Sequence, residues 1–279
     1  MKKILFVVCL LTSVEVLAGG GWPQGKKRYY VKVGQNTIVS PYYYSPSGKI
    51  IDIRTTSLYT TSFYGEYGVN DRLTAILYLP FFVRATLNEV QYRQSGRVDE
   101  AEFLNAFGDT DISLKYTLIK DKPIVLSTTV LFGLPLGETR GGASGILQSG
   151  DGEFNQMLRV DASHSFYPKP LYVSAYVGFN NRTKNFSDDF RTGAEAGYTF
   201  NNKFIAILKL DVVQSFFNGS DLVADNGIFS NNTEYISPSV ELAYAVKKNW
   251  GVSASAGFAL AGRNILASPN LGVGIYLKN

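Results

Sequence analysis

Residues 204–217 read FIAILKLDVVQSFF, an apolar run with two charges, Lys209 and Asp211, at its centre. Taken two by two the run resolves. Phe204, Ala206, Leu208, Leu210 and Val212 fall on one side, and Lys209 and Asp211 share the other. Period two is the signature of a β-strand. An unbroken apolar face backed by charges suits a wall between lipid and water. A basic residue on the lipid side at the midplane costs about 2–4 kcal/mol, whereas on the inner side it meets water or a partner. The two charges therefore predict a lumen.

The same alternation recurs along the chain. In 190–200, FRTGAEAGYTF, the even positions run from Phe190 to Phe200 through Thr192, Ala194, Ala196 and Tyr198. Arg191 and Glu195 fall on the odd side with glycine and threonine. DISLKYTL (111–118) sets Ile112, Leu114, Tyr116 and Leu118 against Asp111 and Lys115. LRVDASHSF (158–166) sets Leu158, Val160, Ala162 and Phe166 against Arg159 and Asp161. LYVSAYVGF (171–179) places Tyr172 and Tyr176 inward, and VELAYAV (240–246) turns Glu241 inward. VSASAGFAL (252–260) and LGVGIYL (271–277) repeat the pattern with serine and glycine inside. Aromatic residues at the ends of apolar faces resemble the interfacial girdles of membrane barrels.

The connections alternate as well. Short breaks near 70–71, 120–122, 168–169, 201–203 and 247–249 alternate with longer ones near 45–49, 91–108, 137–153, 181–188, 219–233 and 262–268. Twelve strands result, approximately 26–44, 50–69, 73–90, 109–119, 123–136, 154–167, 170–180, 189–200, 204–217, 234–246, 250–261 and 269–278. The expected fold is all-β, a transmembrane antiparallel up-and-down barrel with short turns facing the periplasm. The first two strands exceed the roughly 9–11 residues that span a bilayer and are expected to project beyond it. Pro41 and Pro46 are expected to interrupt the first.

Lys2 and Lys3, the apolar ILFVVCLL (4–11), and Val16 and Ala18 form a secretory leader with cleavage expected after Ala18. This divides the chain into a signal peptide, 1–18, and an outer-membrane barrel, 19–279. Cleavage removes the single cysteine, Cys9, and with it any disulfide or thiol chemistry. A formal net charge of +4 without a long basic run argues against nucleic acid as a partner.

FGDTDISLKYTLI (107–119), VLFGLPLGE (130–138), GAEAGYTFNNKFIAIL (193–208) and NLGVGIYLKN (270–279) resemble the transporter-like outer-membrane barrels called "MetA-pathway of phenol degradation". That family is akin to hydrophobic-solute channels such as the long-chain fatty-acid transporter. The resemblance implies passage of a small solute and leaves the solute unnamed. The chain departs from many such barrels in ending Tyr276-Leu277-Lys278-Asn279 rather than on an aromatic residue. It also implies outer-membrane lipids and the barrel-assembly machinery as partners.

Some twelve-stranded outer-membrane barrels, such as phospholipase A, cleave lipids with a serine activated by histidine. Here the one histidine, His164, lies on the lipid side near a short turn, with Ser163 and Ser165 turned inward. No catalytic residue, cofactor or metal site is expected. Asp151, Glu153 and Asp225 read as solvated loop acids rather than calcium ligands. GGASG (141–145) reads as a flexible loop, and Tyr42-Tyr43-Tyr44 as an interface girdle. The candidate functional residues are the inward charges Lys115, Arg159, Asp161, Arg191, Glu195, Lys209, Asp211 and Glu241. They are expected to line a mixed-charge belt at the waist, with Glu195 beside Lys209 and Asp211 diagonal to Arg191. The functions considered are a narrow channel, a structural barrel with a filled lumen and, third, a lipid-modifying enzyme.

Overall fold

A computed structural model describes residues 20–220 and 227–279. The leader and Asp225 lie outside these residues. Twelve strands form the wall: β1 Tyr29–Tyr44, β2 Ile50–Gly68, β3 Leu73–Leu87, β4 Thr110–Ile119, β5 Ile124–Leu134, β6 Asn155–Ser165, β7 Leu171–Arg182, β8 Asp189–Phe200, β9 Phe204–Ser215, β10 Glu234–Lys247, β11 Trp250–Gly257 and β12 Asn270–Lys278. Every strand pairs antiparallel with its neighbours in sequence. β1 pairs with β12, Tyr30 opposite Lys278, and this closes the barrel. Closure leaves no unpaired edge in the wall, which a bilayer without water requires.

The faces follow the alternation. Leu208, at 63% exposure, and Leu271, Val273 and Ile275 stand on the outside. At the short-turn end Asn201 and Asn202 both take positive φ, 46° and 53°, a conformation asparagine tolerates. Phe200 therefore pairs with Phe204, and the register counts outward from there. A register shift between Ser40 and Tyr42 falls at Pro41, which has no N–H for the ladder. Beyond it Tyr42 stays outside, but Tyr43 and Tyr44 are buried and donate hydroxyl hydrogen bonds to the Gly227 and Ala259 carbonyls. Only Tyr42 fits the girdle expected for the triplet.

The long-loop end has more structure than the alternation predicts. Glu102–Ala106 pairs with Val83–Leu87 and extends β4 outward across a break at 107–109. Ala261–Arg263 and Ile265–Leu266 likewise prolong the wall against β10 and β1.

Arginine at Leu208, near mid-strand on the outer face, is expected to cost about 2–4 kcal/mol of folding, against about 0–1 at Gln214 near the strand end. Urea titration followed by heat-modifiable gel mobility measures the difference. Equal losses at both sites would mean that this face does not meet lipid.

Candidate functional site: the barrel lumen

Alternation puts all eight candidate charges on the inner face, and the register decides which of them meet. Glu195 pairs across strands with Lys209, as expected. The ammonium of Lys209, however, reaches the other way, to Glu241 on β10 at 2.9 Å. Lys32 on β1 binds the second oxygen of the same carboxylate at 2.5 Å. Glu241 is thus shared between two lysines from opposite sides.

Arg191 does not turn to Asp211 on the diagonal. It binds Asp189, two residues away on its own face, through Nε at 2.7 Å and Nη2 at 3.1 Å. A forked guanidinium gains more from that two-point contact than from one distant carboxylate. Asp211 instead accepts a hydrogen bond from the Tyr176 hydroxyl at 2.8 Å. Arg159 binds Asp161 through Nε at 2.9 Å and lies over the Tyr176 ring, 3.8 Å from its centroid. Lys115 is buried 3.6 Å from Glu66. The belt therefore consists of paired groups on at least three sides of the lumen rather than one ring of equivalent charges.

Two cavities of about 420 Å³ each occupy this level. Lys209, Asp211, Glu241 and Ser255 line both. Their size falls in the range of small-molecule sites, roughly 300–1,000 Å³.

Both ends of the lumen are partly occupied. At the short-turn end the segment Gly20–Gln24 runs inside the wall. The Gly21 N–H donates to Ser163 Oγ at 2.8 Å, Lys115 Nζ donates to the Gly20 carbonyl at 3.1 Å, and Ser127 donates to the Gly21 carbonyl. Trp22 packs edge-on against Tyr172, with ring centroids 5.6 Å apart. The Gln24 N–H donates to Thr74 Oγ1 at 3.0 Å. Gly20 has φ of +29°, and a Cβ there would lie 2.4 Å from Ser174 Oγ, so this path needs glycine. Across the lumen Ile205, Ile207, Ala243 and Tyr276 pack together with Tyr30.

At the long-loop end Leu147, from the β5–β6 loop, packs with the inward Ala85 and Leu87, and with Leu58, Leu104 and Ile228. The Phe229 N–H donates to Gln148 Oε1 at 3.0 Å and ties this loop to the β9–β10 loop. Glu153, 1% exposed, accepts from Arg182 Nε at 2.8 Å, and Asp151 accepts from Nη2 of the same arginine at 2.7 Å. These two acids are not solvated, because Arg182 projects from the end of β7 straight at the loop. GGASG is tied as well. The Ser144 N–H and hydroxyl donate to Glu102 Oε2 at 2.7 and 2.8 Å.

Those Ser144 hydrogen bonds hold the Glu102 carboxyl below the ordinary glutamate range. A lowered carboxyl stabilises at neutral pH and loses its contribution as pH falls through the lowered value. The Ser144 amide is expected to keep its exchange protection through the ordinary glutamate range, near about pH 4, and to lose it only at lower pH. Protection already lost above about pH 4 would separate this loop from the Glu102 charge.

Lys32, Glu66, Asp189, Tyr64 and the Gly20–Gln24 segment belong to the site but stood outside the sequence-derived set. Lys32 sits in YYVKVGQN (29–36), where alternation could have marked it, but both faces of that strand begin aromatic or apolar. The only sequence hint of the inner segment is its run of glycines, 19–21. His164 stands on the outer face, its Nδ1 2.6 Å from the Pro123 carbonyl and its ring 4.5 Å from that of Phe166. Ser163 and Ser165 point inward, away from it.

Comparison of the sequence with family models and with curated proteins finds no match. Solved structures do match. An outer membrane channel from Pseudomonas putida F1 superposes with a TM-score of 0.66 at 15% identity, over 95% of this chain and 100% of the other. The NanC porin superposes with a TM-score of 0.53 at 10% identity, over 90% of this chain and 100% of the other. The fold is that of an outer-membrane channel barrel. The resemblance read from the sequence stands at that level.

Proposed function

We propose that this barrel is a narrow passive channel for small solutes in the bacterial outer membrane, inserted after a leader at 1–18 is removed. The observation that carries the reading is the pair of cavities at the waist, which share Lys209, Asp211 and Glu241. The short segment Gly20–Gln24 and the Leu147 loop are separable from the wall. Each can move without breaking the strand ladder. The likeness to channels and porins supports the reading at the level of fold. The outward, serine-free setting of His164 favours transport over lipid cleavage.

Single-channel recording on purified, refolded protein tests it. Lys209→Ala is expected to shift the reversal potential towards cations. Glu241 keeps Lys32, while Glu195 loses the cation across the ladder. The alternative is a filled structural barrel, which the packing of Ile205, Ile207 and Tyr276 favours. That barrel would stay silent and merely lose stability on the same substitution.

Short turns in the periplasm and long loops outside follow the usual barrel arrangement. Insertions in 91–108 and 137–153 are expected to be tolerated and open to protease on intact cells. Surface labelling of Lys169 or Lys203 instead would invert the topology.

A further inference from the structure

The ion pairs of the lumen do not come out even. At the waist five basic side chains project inward from the strands, and each has a carboxylate partner. Lys32 and Lys209 share Glu241, Lys115 has Glu66, Arg159 has Asp161 and Arg191 has Asp189. Asp111, Glu195 and Asp211 remain without a basic partner at ion-pair distance among the described residues, and of these Glu195 and Asp211 line the waist cavity. They lie on adjacent strands, two residues apart along the ladder and on one face. Inward side chains so placed are about 7–8 Å apart, and both line the same cavity. Lys209, which stands between them, has its ammonium drawn off to Glu241.

Three further observations point to what such a space takes. Glu195 Oε1 is buried with no hydrogen-bond partner among the described residues. Tyr172, only 4% exposed, turns its hydroxyl towards the Glu195 carboxyl, short of a well-formed hydrogen bond. That hydroxyl overhangs Gly197, two residues from Glu195 on the same face of β8. Tyr30, Tyr64, Tyr78 and Tyr176 line the cavity too. One tyrosine ring there already holds a cation, for Arg159 lies over Tyr176. Carboxylates without an ion-pair partner, an acceptor oxygen short of a well-formed hydrogen bond and aromatic rings together suit an ammonium group on a flat apolar body.

We propose that the waist of the lumen is a binding site for a small organic cation, its ammonium group between Glu195 and Asp211 and its apolar body against the tyrosines. This deepens the channel reading and rests on it for the route of the solute, though not for binding itself. The pairing explains how a lumen of mixed charge can still discriminate. Lys32, Lys209 and Arg159 face Asp161, Glu195, Asp211 and Glu241 around this cavity, so its surplus is one negative charge.

Isothermal titration of the detergent-solubilised full barrel tests binding without requiring conduction. Benzylammonium is the probe, with benzyl alcohol and benzoate as neutral and anionic counterparts of the same shape. Benzylammonium is expected to bind at least about tenfold more tightly than either, a gap of about 1.4 kcal/mol. Glu195→Gln and Asp211→Asn, each checked for folding by heat-modifiable mobility, are expected to remove most of that advantage. Equal binding of benzyl alcohol, or an unchanged preference in both folded variants, overturns the proposal. Retained preference in a bilayer-silent protein supports the site and counts against the channel reading alone.

Discussion

Replacing Gly20 and Gly21 together by valine is expected to expel the inner segment and raise single-channel conductance several-fold. Gly20 has no room for a side chain. A Cβ would sit 2.4 Å from Ser174 Oγ, 2.8 Å from Ser163 Oγ and 3.1 Å from the Trp22 ring. At Gly21 a Cβ would lie 3.2 Å from the Asp161 carbonyl, which belongs to the wall and cannot step aside. The segment is held by a handful of hydrogen bonds, each worth about 0.5–1.5 kcal/mol net. Two β-branched residues at positions without space cancel that. The wall has its own ladder and remains. Trp22 reports the change independently. The chain has two tryptophans, so in a Trp250→Phe background the emission belongs to Trp22 and should shift to the red as it leaves Tyr172 for water. A red shift without any rise in conductance would show that the segment is not what narrows the lumen.

Glu241→Gln is expected to do the most damage of any single change at the waist. The glutamine keeps the shape and removes the charge that two lysines share. Lys32 and Lys209 would then face each other across a neutral amide. Breaking one fully buried pair costs about 3–5 kcal/mol, and an exposed one about 0–1. These groups lie between, with side-chain exposures of 24% for Lys32, 33% for Lys209 and 15% for Glu241. A loss of about 2 kcal/mol in a urea titration is the expected result, an interpolation between those limits. The reversal potential should swing towards anions, because two unneutralised ammonium groups then dominate the waist. Lys209→Ala should move it the opposite way. The two substitutions moving selectivity in the same direction, or neither moving it, would remove the triad from the permeation path.

Much of the wall was legible because strand alternation is local. Whether Leu208 faces out and Lys209 in depends only on their being neighbours on a pleated strand. Twelve strands could be counted because asparagine, glycine and proline mark the turns. The cross-strand pair Glu195–Lys209 was countable because only three residues, 201–203, separate two strands of known phase. The same counting fails across long loops. Glu102–Ala106 reads as loop sequence, and it becomes strand because Val83–Leu87 offers a free edge beside it.

The amino-acid order by itself determined the two faces, the strand number and the set of inward charges. Each follows from a period of two residues and from the cost of a charge in lipid. Only the tertiary structure decided the partners. Closure brings β1 round to β12 and so delivers Lys32 to a carboxylate more than two hundred positions away. It also decided that Gly20–Gln24, a stretch without periodicity, lies inside the barrel, because hydrogen-bonding side chains from four different strands converge there only once the wall is closed. Long side chains choose among whatever carboxylates the closed barrel sets within their reach, and the distances that govern this choice do not exist until the first strand meets the last.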